Sequence, residues 1–148
     1  MTSSKTIVRT GDIQQRILMI RGEKVVLDVE SAAFYGVATK RLNEQVKRNK
    51  ARFPEDFGFR LTGEEKSEVV AKCDHLHKLK YSAMLPYAFT EHGALMAASV
   101  LSTGRAVEMS VFVVRAFVVM RQALLQHDKM APAQVPSKRQ IGFQKKEP

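Results

Sequence analysis

The chain of 148 residues is short of cysteine, of acid and of long apolar runs, and each shortage removes a class of protein. Its single cysteine, Cys73, cannot form an internal disulfide. A disulfide-stapled secreted domain is therefore excluded, and a reducing cytoplasm is the expected compartment. The opening residues MTSSKTIVRTGD hold no apolar segment of a secretion signal. The most apolar run, residues 109–120, is interrupted by Arg115 and is too short to span a bilayer, so no membrane association is expected. No internal repeat, Gly-rich phosphate loop or Ser–His–Asp arrangement is visible, and Gly36 and Gly104 read as punctuation. Asp28, Glu64, Glu65 and Glu91 fall at expected helix starts, where capping or the helix dipole explains them. The metal-dependent nuclease that a basic chain could also be is thus the weakest of the functional readings, and neither catalysis nor a cofactor is expected. Cys73-Asp74-His75-Leu76-His77 is the one metal-like cluster, with His92 a remote addition. Its spacing matches no usual zinc pattern, and residues two apart seldom converge, so a solvated loop without metal is expected.

What the chain does have is base. Its 24 lysines and arginines face 15 acids, a formal net charge of +9. The excess is local. Residues 39–52 hold six basic side chains against the single acid Glu44, and that window accounts for the whole excess of the first sixty residues. A concentrated patch of this kind suits a polyanion. Around it the pattern predicts a short helix from Asp28, ended by Gly36, then a second helix over 40–49 capped by Thr39. Leu42, Val46 and Asn49 share one side of that helix, while Lys40, Glu44 and Lys47 point away. A short helix, a Gly turn and a basic helix together suggest helix-turn-helix docking in the DNA major groove. The expected DNA-binding residues are Thr39, Lys40, Arg41, Asn43, Lys47, Arg48, Lys50 and Arg52. The lysines and Arg48 and Arg52 would meet phosphates; Arg41, Asn43 and Gln45 carry groups able to read base edges. Arg48, Asn49 and the following Arg52-Phe53-Pro54 have a rival role in fixing the exit of the helix.

Elsewhere the chain predicts an α+β fold: a small hairpin and sheet, the helix-turn-helix-like pair and a long C-terminal helix. Residues 1–12 read as a flexible N-terminus, residues 13–127 as the domain, and residues 128–148, with three prolines and a net +3, as a flexible basic tail. Within the domain, residues 13–28 suggest a hairpin turning at Gly22 in a type II′ turn. Residues 58–61 suggest a short strand, Thr62 to Glu65 a capping box opening a helix to about residue 72, and residues 73–82 a charged loop. Residues 84–89 suggest a strand paired with residues 57–61. Thr90 should cap a helix through residue 101, with Leu95, Met96, Val100 and Leu101 available for the core. The last helix, residues 105–127, is apolar around much of its circumference, which fits central burial or a homodimer surface.

Three ordered blocks carry a family resemblance: IRGEKVVLDVESAAFYGVATKRLNEQVKRNKARFPEDFGFRLT, LPYAFTEHGALMAASVL and AVEMSVFVVRAFVVMR. They resemble the phage "ORF six N-terminal" domain of the KilA-N/Bro-N superfamily, most specifically at Lys47-Arg48-Asn49, Arg52-Phe53-Pro54-Glu55-Asp56-Phe57 and Pro86-Tyr87-Ala88-Phe89-Thr90-Glu91. The resemblance implies a compact α+β domain that binds double-stranded DNA in a phage or prophage regulator of the antirepressor type. A protein-binding regulator that inactivates a repressor is the alternative. Gly58 departs from the family's larger apolar residue, which would loosen its strand, and no recognisable second domain follows the tail.

Overall fold

Val25, Val26 and Leu27 are consecutive, apolar and fully buried, as residues of a strand covered on both faces are. In the computed structural model, which describes residues 10–130, they lie in strand β2 (Glu23–Leu27), second in a four-stranded antiparallel sheet. Its neighbours are β1 (Leu18–Ile20) on one side and β4 (Tyr87–Phe89) on the other, with β3 (Gly58–Arg60) beyond β4. The helices are α1 (Thr10–Gln14), α2 (Asp28–Tyr35), α3 (Thr39–Arg48), α4 (Gly63–Lys72), α5 (Glu91–Leu101) and α6 (Gly104–Met130), with 3-10 segments at Lys50–Arg52 and Asp74–Tyr81. Two units divide the chain, one ending at Phe117 and one beginning at Val118. The fold described here is the first.

Strand alternation sorts the core into two layers. On one face Val25, Leu27 and Ala88 pack with Leu61, with Val69 of α4 and with Leu76 of the second 3-10 segment. On the other, α2 and α5 both lie against β2 and β4. α5 turns Gly93, Ala94, Ala97, Ala98 and Leu101 inward, while Leu95 is exposed and Met96 and Val100 are half-buried. Of the four residues expected in the core, Leu101 alone is buried, because small side chains let the helix backbone come close to its neighbours. Gly93 is the extreme case. A Cβ there would overlap the Phe57 carbonyl oxygen, which also accepts hydrogen bonds from the Thr90 backbone N–H at 3.0 Å and the Thr90 hydroxyl at 3.1 Å.

Other expectations are corrected. The hairpin begins at Leu18 rather than Ile13, which is buried in α1. Ile20 pairs with Glu23, leaving Arg21 and Gly22 as the two turn residues, with φ of 57° and 75°. Positive φ at both makes the turn type I′, not II′. Residues 74–81 form a 3-10 segment instead of a loop. Gly58 does not loosen β3. A Cβ at this buried position would lie 2.8 Å from the Ala88 carbonyl oxygen and against the Tyr87 ring, so glycine is what lets the strands close.

The capping box at Thr62 is present in full: its hydroxyl accepts from the Glu65 N–H at 3.1 Å, and Glu65 Oε1 accepts from the Thr62 N–H at 2.8 Å. Of the strand expected over residues 84–89, only Tyr87–Phe89 forms, pairing with β3 as anticipated and joining Phe59 to Ala88, while residues 84–86 are loop. Of the expected flexible N-terminus, residues 1–9 lie outside the described residues and residues 10–12 belong to α1. Of the expected tail, residues 128–130 complete α6 and residues 131–148 lie outside the described residues. Among the described residues, no helix is long and apolar enough to cross a membrane.

Candidate nucleic-acid interface

The geometry of the site starts at Gly36. Its φ of 72° ends α2 in a left-handed cap, with the Gly36 N–H on the Ala33 carbonyl at 3.3 Å and the Val37 N–H on the Ala32 carbonyl at 3.0 Å. These are the two hydrogen bonds of a Schellman turn, which redirects the chain into α3 after Gly36, Val37 and Ala38. Two long contacts hold the turn. Arg105 Nε donates to the Phe34 carbonyl at 3.2 Å, and the buried Tyr35 hydroxyl donates to the Ala94 carbonyl at 2.7 Å. Burial of that phenol pushes its pKa up.

Neither expected cap is one. Asp28 and Thr39 are the first residues of their helices, and the N-cap positions fall to Leu27 and Ala38, which offer no side-chain acceptor. Asp28 does other work. It is 5% exposed, and its carboxylate accepts from the Val29 N–H at 2.8 Å and from Asn43 Nδ2 of α3 at 3.0 Å. Burial raises its pKa, against the opposing pull of Asn43, of the Tyr87 and Val29 backbone and of the Arg60 charge. Asn43, expected at base edges, thus has its amide nitrogen engaged in bracing α3 to α2.

α3 buries Leu42 completely and half-buries Val46 and Asn49. Asn49 Nδ2 donates to the Gln45 carbonyl at 2.8 Å and closes the helix, as the rival role for this segment anticipated. Phe53 then anchors the exit, 7% exposed and with its ring 6.0 Å from that of Phe89. What α3 and the 3-10 turn leave outside is charge. Lys40, Arg41, Lys47, Arg48, Lys50 and Arg52 are all exposed. Among the described residues the ion pairs use Arg16, Arg21, Lys72 and His75, and none uses any of these six.

A groove of about 1020 Å³ runs beside α3. Thr39, Lys40, Asn43, Glu44, Lys47 and Lys50 line one wall, whereas Arg41, Arg48 and Arg52 lie away from it. The opposite wall is built by Leu79, Met84, Leu85 and Arg60, with Phe53 and Tyr87 also lining the groove. That second wall was missed in the sequence. Its one signal was the pair of apolar residues Met84-Leu85 before a short strand. In the Cys73–His77 segment, His75 Nε2 lies 3.4 Å from Glu30, and the His77 ring meets Tyr81 edge-on at 6.1 Å. Among the described residues no three His, Cys, Asp or Glu side chains are grouped to hold a metal ion.

A four-stranded antiparallel sheet between helical layers, carrying a helix-turn-helix-like pair whose second helix bears basic side chains with no ion-pair partner among the described residues, defines a class of small α+β domains. The sequence model of the ORF6N domain matches residues 15–100, more than half of the chain, and the chain belongs to this phage-associated family. No curated protein and no solved structure gives a match.

Proposed function

We propose that this domain binds double-stranded DNA through α3 and the 3-10 turn that follows it, in a phage or prophage regulatory protein of the antirepressor type acting in the host cytoplasm. The observation that carries the reading is the set of six exposed cations, held on a fixed helix and turn without an acidic partner among the described residues. Side chains so placed repel one another until a polyanion arrives. Lys40, Lys47, Arg48, Lys50 and Arg52 would take phosphates and release counterions. Arg41 has the fork for guanine O6 and N7. Thr39 and Asn43 sit at the groove side of the same helix, with Asn43 also holding its angle.

The test is fluorescence anisotropy of a labelled random-sequence duplex titrated with the full chain across a salt series. Binding should weaken with a logarithmic slope of about −0.9 for each phosphate contacted. Absence of binding at low salt, or affinity indifferent to salt, would remove the reading.

A further inference from the structure

An exposed methionine and leucine on a surface loop ordinarily sample many positions and mean little. Here the loop is fixed. Lys66 Nζ donates to the Ser82 carbonyl and, at 3.1 Å, to the Met84 carbonyl. Arg60 Nη1 donates to the Leu85 carbonyl at 2.7 Å, and the Met84 N–H donates to the Ser82 hydroxyl at 3.1 Å. Two cationic side chains from other elements are thus committed to the backbone of a segment whose side chains stay outside, Met84 67% and Leu85 37% exposed. The bonds hold the loop backbone in place while its two apolar side chains face solvent. The presented pair forms one lip of the groove, and Lys40, Lys47 and Lys50 stand on the other, where three cations outnumber the single exposed acid Glu44.

The chemistry of the two lips selects the occupant. A duplex offers phosphates to the lysines but a polar, convex face to Met84 and Leu85. The chain's own residues 128–148 carry a net +3, the same sign as the lysine lip. A small anion would leave the apolar lip wet. A peptide with carboxylates along one side and apolar anchors along the other satisfies both lips, and methionine is the side chain best able to mould itself to such anchors.

We propose that the groove between α3 and the Met84-Leu85 loop docks an acidic segment of a partner protein through apolar anchor side chains. The docked segment competes with DNA for Lys40 and Lys47. Docking stands without the DNA reading; only the competition rests on it.

Peptides selected from a displayed random library on the full chain test the proposal, followed by anisotropy of an enriched, labelled peptide. The enriched sequences should be acidic with Leu, Phe or Met anchors. Affinity should fall roughly tenfold or more in the double variant Met84→Ser, Leu85→Ser, because the anchors lose their burial partners. Lys47→Glu should weaken the peptide as well, and unlabelled duplex should displace it. All three positions are exposed, and thermal melts of the variants should overlay the wild type.

Enrichment of neutral or basic sequences, or equal binding by wild type and the double variant, would overturn docking. So would a double variant that loses duplex affinity while keeping the peptide, since the lip would then be a DNA wedge, or one that abolishes self-association instead. A chain that binds the peptide but no duplex sinks the DNA reading and leaves docking standing; the reverse sinks docking alone.

Discussion

Two sets of basic side chains share this fold and are employed in opposite ways. At the corner between the hairpin and α4, Arg21 forks onto Glu65 at 2.8 and 2.9 Å and lies 4.1 Å over the Phe59 ring. Nearby, Arg60 and Lys66 donate to the carbonyls of the 82–85 loop. Along α3 and the 3-10 turn, six cations of the same types have no acidic partner among the described residues. The corner's cations are engaged inside the molecule, Arg21 by a carboxylate and Arg60 and Lys66 by backbone carbonyls. Those of α3 have not, and a charge count over the sequence cannot distinguish the two. What separates them is commitment, and commitment is measurable as loss of stability against loss of binding.

The comparison is broken most severely from below. Gly93→Ala drives a Cβ into the Phe57 carbonyl, which is backbone and has no rotamer to yield. The cost should be about 3 kcal/mol or more, read as a large fall in the urea midpoint. DNA binding would then be lost only because the exit from α3 is lost. The triple reversal Lys40→Glu, Lys47→Glu, Arg48→Glu should behave in the opposite manner. Its melt should match the wild type or improve, while duplex affinity at moderate salt falls by roughly two orders of magnitude or more and the salt slope flattens by about 1 for each phosphate contact removed. Unchanged affinity would take α3 out of the interface.

The corner should give the mirror image with smaller amplitude. Arg21→Ala should lower the melting temperature and leave duplex affinity alone, because the salt bridge, the ring contact and the Arg60 carbonyl bond all face the scaffold. Thr62→Ala removes the capping hydroxyl beside it and should cost about 1 kcal/mol. If either variant weakened DNA binding as much as the triple reversal, the division between the two sets would be false.

Much of this was legible in the sequence, and the illegible part has a common cause. Gly36, the Thr62 capping box and the Thr90 cap were readable because each is decided within four residues of chain. Phe53 and the basic face of α3 were readable from period and composition. Asp28 was misread as a cap because its true partner, Asn43, sits one helix further on. Gly58 was misread as a weakness because the Ala88 carbonyl that requires it belongs to a strand thirty residues later. The second wall of the groove was invisible for the same reason: Lys66 and Arg60 hold the Met84-Leu85 loop across distances that no local pattern records.

The gentlest prediction sets the two regions against each other through acid. Glu65 lies beside Arg21, whose hydrogen bond holds its pKa down at about 2 rather than its ordinary 4.5. A lowered carboxylate stabilises the fold above its ordinary value and loses that contribution as pH falls from about 4.5 toward 2. Asp28, under α3, has the opposite sign. Burial raises its pKa, so its contribution is greatest when protonated, below its ordinary value, and fades as pH rises through the raised one. Urea midpoints measured from pH 7 downward should therefore fall less in Glu65→Gln than in wild type. In Asp28→Asn the fall should be steeper, since the aspartate's partial compensation is gone while the Asn43 brace can re-form to the new amide. High salt should shrink the Glu65 difference, which is near solvent, more than the Asp28 difference, which is not. Parallel curves for wild type and both variants would mean that neither carboxylate is tied to its region as the geometry says.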